Sequence, residues 1–177
     1  MANLLTALRL LLVLPMAWSI TSNASPSYLT LLIVLVAIAS DYFDGKVARA
    51  RNTASPRGML FDHGTDFVFV TSAAATLAYT GLISPLLPVL ITLAFSQYVL
   101  DSYFLFKQKQ LRMSFLGKWN GVFYFGPALL FGIALASPFE ALTDISLILL
   151  PLLAAILMLS TLASIADRTL APLRRSN

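Results

Sequence analysis

The sequence has no cysteine, a single histidine and few charges: only 11% of its 177 residues are Asp, Glu, Lys or Arg. Without cysteine there is no disulfide framework, no thiolate nucleophile and no Cys-ligated zinc or iron–sulfur centre. One histidine argues against a zinc site built on imidazoles. A soluble domain carries roughly 25% charged residues, so an ordinary water-soluble globule is excluded. Intrinsic disorder needs the opposite bias and is excluded as well. Nine Pro and eight Gly are too few for a fibrous or low-complexity chain. What is present is apolar: 58% of the residues are hydrophobic and the mean hydropathy is +0.82. The composition is that of an integral membrane protein, and the length suits a single unit spanning residues 1–177.

A helical span needs about 20 mainly apolar residues. Six segments qualify: Leu4–Ile20, Tyr28–Asp44, Gly58–Ile83, Leu86–Phe106, Trp119–Ala136 and Ile145–Ile165. None alternates apolar and polar residues as a barrel strand does. The expected fold is therefore an all-α membrane bundle of six transmembrane helices. The start has no basic region before its apolar run, so it reads as a retained first span rather than a cleaved signal.

The scarce charges are sorted. With six spans, all 12 Lys and Arg fall on one side of the membrane: Arg9, the loop after span two, the loop after span four, and the tail after span six. The opposite loops carry only Glu140 and Asp144. Lys and Arg favour cytoplasmic loops, so both termini are expected in the cytoplasm. The expected location is a bacterial-type inner membrane with any polar site facing inward, and nothing indicates a nucleic-acid partner.

Half of the eight acids lie between positions 41 and 66. Asp41, Asp44, Gly45 and Ala48 share one helical face; Gly58, Asp62 and Asp66 share another. Ser55-Pro56 reads as an N-cap followed by proline at the first helical position, so the third helix is expected to start there. The link 46–57 can bring the two stripes face to face. Two carboxylates at about 5 Å repel by about 3 kcal/mol at an effective dielectric of 20, so the cluster needs protons or cations. An all-oxygen set suits hard divalent ions such as Mg²⁺, Mn²⁺ or Ca²⁺. Gly45, Ala48 and Gly58 leave space for a ligand, and Arg49 offers a partner for phosphate. The plainer alternative is a set of interfacial carboxylates paired with Lys46, Arg49 and Arg51.

The stretch Asp41–Asp66 resembles the signature of the CDP-alcohol phosphotransferase family, D-x₂-D-G-x₂-A-R-x₈-G-x₃-D-x₃-D. All its fixed positions are met by Asp41, Asp44, Gly45, Ala48, Arg49, Gly58, Asp62 and Asp66. The resemblance implies a six-helix membrane enzyme, usually a homodimer. It moves a substituted phosphate from a CDP-linked donor such as CDP-diacylglycerol to a polar alcohol and releases CMP. It assigns Asp41, Asp44, Asp62 and Asp66 to two divalent ions, Mg²⁺ or Mn²⁺. Asp66 is also the expected general base, and Gly45, Ala48, Arg49 and Gly58 are the expected donor-binding residues. Membrane lipids surround such an enzyme and accommodate the donor's acyl chains.

The first span, Asn3-Leu4-Leu5-Thr6-Ala7-Leu8-Arg9 onward to Pro15, is similar to the amino-terminal segment of the phosphatidylglycerophosphate synthases of that family. Ser114-Phe115-Leu116-Gly117-Lys118-Trp119-Asn120 resembles the Gly-Lys segment before their fifth span. The implied acceptor is glycerol 3-phosphate, with Arg112, Lys118 and Arg168 as candidates for its phosphate. The chain departs from those synthases at His63 and Phe67, where they carry Pro and Lys. Inositol phosphate, serine or phosphatidylglycerol thus stay open as acceptors.

His63 is expected to point about 100° away from Asp62, as a packing or interfacial residue with acceptor contact as the alternative. Asp101, an intramembrane acid, is a functional candidate or a partner of Lys107. Lys118 and Arg112 read equally as headgroup anchors. A different class, an ion carrier using intramembrane carboxylates, would need polar residues along several helices, whereas the outer halves of the spans are nearly uncharged.

Overall fold

The structure, a computed structural model, describes residues 2–22, 27–50, 56–101 and 115–170. Among these there is no strand. In chain order the helices are α1 (Ala2–Thr21), α2 (Leu29–Ala50), α3 (Pro56–Tyr79), α4 (Leu86–Leu100), α5 (Phe115–Phe123), α6 (Gly126–Ala136) and α7 (Glu140–Leu170).

Among the described residues each expected segment is helical over most of its length, with two corrections: α3 stops at Tyr79, short of the expected Ile83, and one span is broken. The fifth expected span, Trp119–Ala136, is broken at Tyr124–Phe125 into α5 and α6. The cause is Pro127, which has no N–H to donate back to Phe123 and whose ring crowds that carbonyl. The chain bridges the gap with a tighter bond from Phe125 N–H to Val122 O, 3.4 Å, before regular bonding resumes from Leu129 N–H to Phe125 O, 3.0 Å. α4 is described only to Leu100, so the expected extension to Phe106 lies outside the described residues.

Other boundaries follow local chemistry. α3 begins at Pro56, where its missing N–H costs nothing. It ends on Gly81, whose φ of +79° favours glycine. Leu82 N–H then bonds Leu77 O and Gly81 N–H bonds Ala78 O, both at 3.0 Å, closing the carbonyls of the last turn. α7 carries Glu140 in its first turn and Arg168 in its last, matching the helix dipole.

The interior is made of small and aliphatic side chains, among them Val34, Ala37, Ala73, Ala74, Leu77, Leu87, Leu150 and Ala154. Close approach of this kind drives helix association in lipid, where the solvent is as apolar as the core. α6 crosses α2 closely: a Cβ on Gly132 would lie 2.8 Å from the Leu31 backbone. Outside, large apolar residues are bare, with Leu11 at 73%, Leu14 at 78% and Ile148 at 71% exposure. Apolar patches of that extent mark a lipid or protein contact surface. Two helical segments, Phe115–Ala136 and Glu140–Leu170, are long and apolar enough to cross a bilayer by length and composition.

One packing relationship positions the site. α1 packs against both α2 and α3, whereas α2 and α3 hardly touch each other. The first helix is therefore a wedge between the two that carry the carboxylates.

Candidate active site

α2 and α3 run in opposite directions beside α1, so the first Asp of one stripe faces the last Asp of the other. Arg9 fills the space between them. Its Nη1 donates to Asp41 Oδ1 at 3.1 Å and to Asp66 Oδ1; its Nη2 donates to Asp44 Oδ2 at 3.4 Å and to Asp62 Oδ1. Each terminal nitrogen thus joins one carboxylate from α2 to one from α3. The Arg9 side chain is fully buried. Asp44 is the deepest carboxylate, with 4% side-chain exposure against 42% for Asp41, and Thr6 Oγ1 donates to its Oδ2 at 2.9 Å. Thr6 and Arg9 are three residues apart on α1 and present one face to the cluster.

All four expected metal ligands are therefore brought together. Their chemistry fits a hard divalent cation: carboxylate oxygens converge from two helices on a position that already holds a positive charge. Asp44 Oδ1 is buried and has no hydrogen-bond partner among the described residues, as befits an oxygen reserved for another ligand. Asp62, His63 and Asp66 also each offer a ligand atom within 4.8 Å of the others.

A ring nitrogen of His63 lies within 4.8 Å of a carboxylate oxygen of Asp62 and of Asp66. His63 and Asp66 are three residues apart, so they share a face. The His63 ring also faces Tyr98, with centroids 6.3 Å apart.

A cavity of about 740 Å³ opens beside the cluster. Asp41, Asp62, His63 and Asp66 form one wall, and Lys118 of α5 and Arg168 of α7 stand on the others. Phe67 and Phe95 stack between them with centroids 4.2 Å apart. The Arg168 guanidinium lies 4.9 Å from the centre of the Tyr98 ring, close enough for a cation–π contact. Asp101 and Asp167 both favour the positive charge of Arg168 electrostatically. Hydrogen bonds fix the helices that carry these cations. Tyr124 Oη and Thr161 Oγ1 lie 2.8 Å apart, Ser160 Oγ donates to Asn120 Oδ1 at 2.6 Å, and Gln97 Nε2 donates to Thr169 Oγ1 at 3.0 Å.

The other expected residues divide. Gly58 sits half-buried one turn before Asp62 and does not line the cavity, and Gly45 follows Asp44 on α2 with its surroundings outside the described residues. Ala48 and Arg49 belong to the last turn of α2, with side chains outside the described residues, and Arg112 lies outside them altogether. Sequence reasoning missed Thr6 and Arg9 as members of the site. The available signal was an arginine inside an apolar span, since intramembrane charges pair with one another.

Residues 1–166 match the CDP-alcohol phosphatidyltransferase family. No curated protein matches the chain. With nearly the whole chain matched, the protein belongs to the CDP-alcohol phosphatidyltransferase family and is a transferase of substituted phosphate groups.

Proposed function

We propose that this enzyme transfers a phosphatidyl group from CDP-diacylglycerol to glycerol 3-phosphate and releases CMP. The observation that carries the reading is the convergence of Asp41, Asp44, Asp62 and Asp66 on Arg9, with Asp41, Asp62 and Asp66 lining a cavity that Lys118 and Arg168 line as well. One end suits cations that bind a diphosphate; the other suits an anionic acceptor.

Two Mg²⁺ or Mn²⁺ ions held by the four carboxylates would polarise the phosphorus under attack and stabilise the departing phosphate oxygen of CMP. The protein's own residues do the rest. Asp66, on the cavity wall, takes the proton of the acceptor hydroxyl as its oxygen bonds to phosphorus. The bond from that phosphorus to the CMP oxygen breaks, and CMP leaves with the electron pair. Lys118 and Arg168 hold the acceptor's phosphate so that its hydroxyl faces Asp66. Gly45 and Gly58 let the nucleotide approach α2 and α3, and Ala48, Arg49 and Arg112 complete the donor and acceptor contacts.

The same reading places one catalytic unit, residues 1–177, in a bacterial inner membrane as six spans with both termini and the active site in the cytoplasm. The one-sided distribution of the 12 basic residues supports that orientation. A homodimer follows the habit of the family.

The test is purified protein with CDP-diacylglycerol, Mn²⁺ or Mg²⁺ and a panel of alcohols, scored by CMP release. The expected result is release that depends on glycerol 3-phosphate. Release only with inositol phosphate, serine or phosphatidylglycerol would reassign the acceptor. No release with any alcohol, in folded protein, would overturn the reading.

A further inference from the structure

We infer that Arg9 is a built-in competitor of the divalent ions: it holds the four carboxylates together in the metal-free protein and yields them on metal binding. The inference rests on the metal-dependent reading above and adds a residue outside the Asp motif.

Three observations carry it. First, Arg9 is fully buried and reaches all four carboxylates with only its two terminal nitrogens. A planar guanidinium fork is suited to bridging carboxylates in this way, which a lysine point charge is not. Second, its position is decided by packing. α1 lies between α2 and α3, which hardly touch, so the guanidinium is the bridge across the gap between their carboxylate faces. Third, the arrangement leaves polar atoms unmatched. Arg9 Nε and Asp44 Oδ1 are both buried without a hydrogen-bond partner among the described residues. Buried polar groups are paired in the great majority of cases, and of these two the oxygen is the one that can take a cation. A cation bound at the carboxylates gives Asp44 Oδ1 a partner and removes the need for the arginine bridge.

Charge sets the direction. One guanidinium faces four carboxylates, a set that two divalent ions can match in charge without help. A divalent ion entering the cluster must displace Arg9 from at least some of its contacts, because like charges at such distances repel. Arg9 therefore weakens metal affinity while stabilising the protein that has no metal.

The experiment measures Mn²⁺ binding directly, by calorimetry on detergent-purified protein without nucleotide or lipid substrate, together with thermal unfolding with and without Mn²⁺. For Arg9→Gln we expect Mn²⁺ to bind about tenfold more tightly than in the natural protein, a factor that corresponds to about 1.4 kcal/mol. The melting temperature without metal should fall, and the rise on adding Mn²⁺ should grow. A purely structural arginine predicts the first melting shift but no gain in affinity. Should Arg9→Gln not fold, Arg9→Lys serves: it keeps the charge, loses the fork, and is expected to bind Mn²⁺ more tightly by a smaller factor. Unchanged or weaker Mn²⁺ binding in the folded variant overturns the inference and leaves the enzyme reading intact. No Mn²⁺ binding by the natural protein overturns the metal-dependent reading and this inference together.

Discussion

Asp41 and Asp66 sit on different helices and meet at the same nitrogen of Arg9. The partner pair, Asp44 and Asp62, meets at the other. Two helices with little direct contact are thus held in register by one side chain of a third.

Asp66 is the proposed base. Asp66→Asn keeps the shape of the side chain but cannot accept the proton, and a positioned base contributes about 10²–10⁴-fold. CMP release per enzyme should fall by that factor while the circular dichroism spectrum is retained. Full activity in this variant would remove the assignment.

Metal removal should act on chemistry and not on fold. Treatment with a chelator is expected to abolish CMP release, and Mg²⁺ or Mn²⁺ to restore it. Zn²⁺ should serve poorly, because the donor set is carboxylate oxygen with a single imidazole nearby. Steady-state assays across a metal series would decide this.

Thr6 supports the deepest carboxylate. Thr6→Val removes the 2.9 Å bond to Asp44 Oδ2 and leaves a buried acceptor with less support, at about 1–3 kcal/mol. The variant should melt earlier in detergent than the natural protein and turn over more slowly, since the carboxylate it steadies is lost as a fixed ligand.

Lys118 and Arg168 should separate donor from acceptor. Substituting either with alanine is expected to raise the KM for glycerol 3-phosphate about tenfold, the equivalent of about 1.4 kcal/mol. The KM for CDP-diacylglycerol should change much less. An equal effect on both substrates would place these cations at the donor.

Gly132 tests the fold apart from the chemistry. A Cβ at that position meets the Leu31 backbone at 2.8 Å, and backbone cannot step aside. Gly132→Ala should cost about 1–3 kcal/mol, the range for overpacking. Gly64→Ala, with nothing within 4 Å, should be neutral or stabilising, because alanine favours helix over glycine. Thermal unfolding of the two variants side by side is the comparison.

The carboxylate cluster was legible because spacing alone places residues on a helical face, and two such faces joined by a short link have few ways to miss each other. Arg9 was not legible as its centre. A basic residue near the end of an apolar span looks the same whether it anchors to headgroups or turns inward, and only the packing of α1 between α2 and α3 decides. His63 was expected as a packing or interfacial residue, and its ring faces Tyr98, a neighbour on another helix that spacing along α3 does not name. The break in the fifth span had its signal in Pro127, but apolar content continues across it unchanged, and content was what defined the span. Lys118 and Arg168 were named from sequence, while their shared cavity needed the hydrogen bonds from α7 to α4 and α5.

α1 precedes α2 and α3 in the chain, so in the six-span arrangement proposed above Arg9 would enter the membrane before any of its four partners exist. An unpaired arginine in a span costs up to about 2.5–3.5 kcal/mol on insertion scales. Until the second and third helices arrive, the first is a poor membrane resident with reason to stay near the headgroups. The arrival of the hairpin carrying Asp41, Asp44, Asp62 and Asp66 draws it to full depth. Biogenesis and catalysis thus converge on the same ion cluster, and a chain missing these aspartates should integrate its amino-terminal helix less completely.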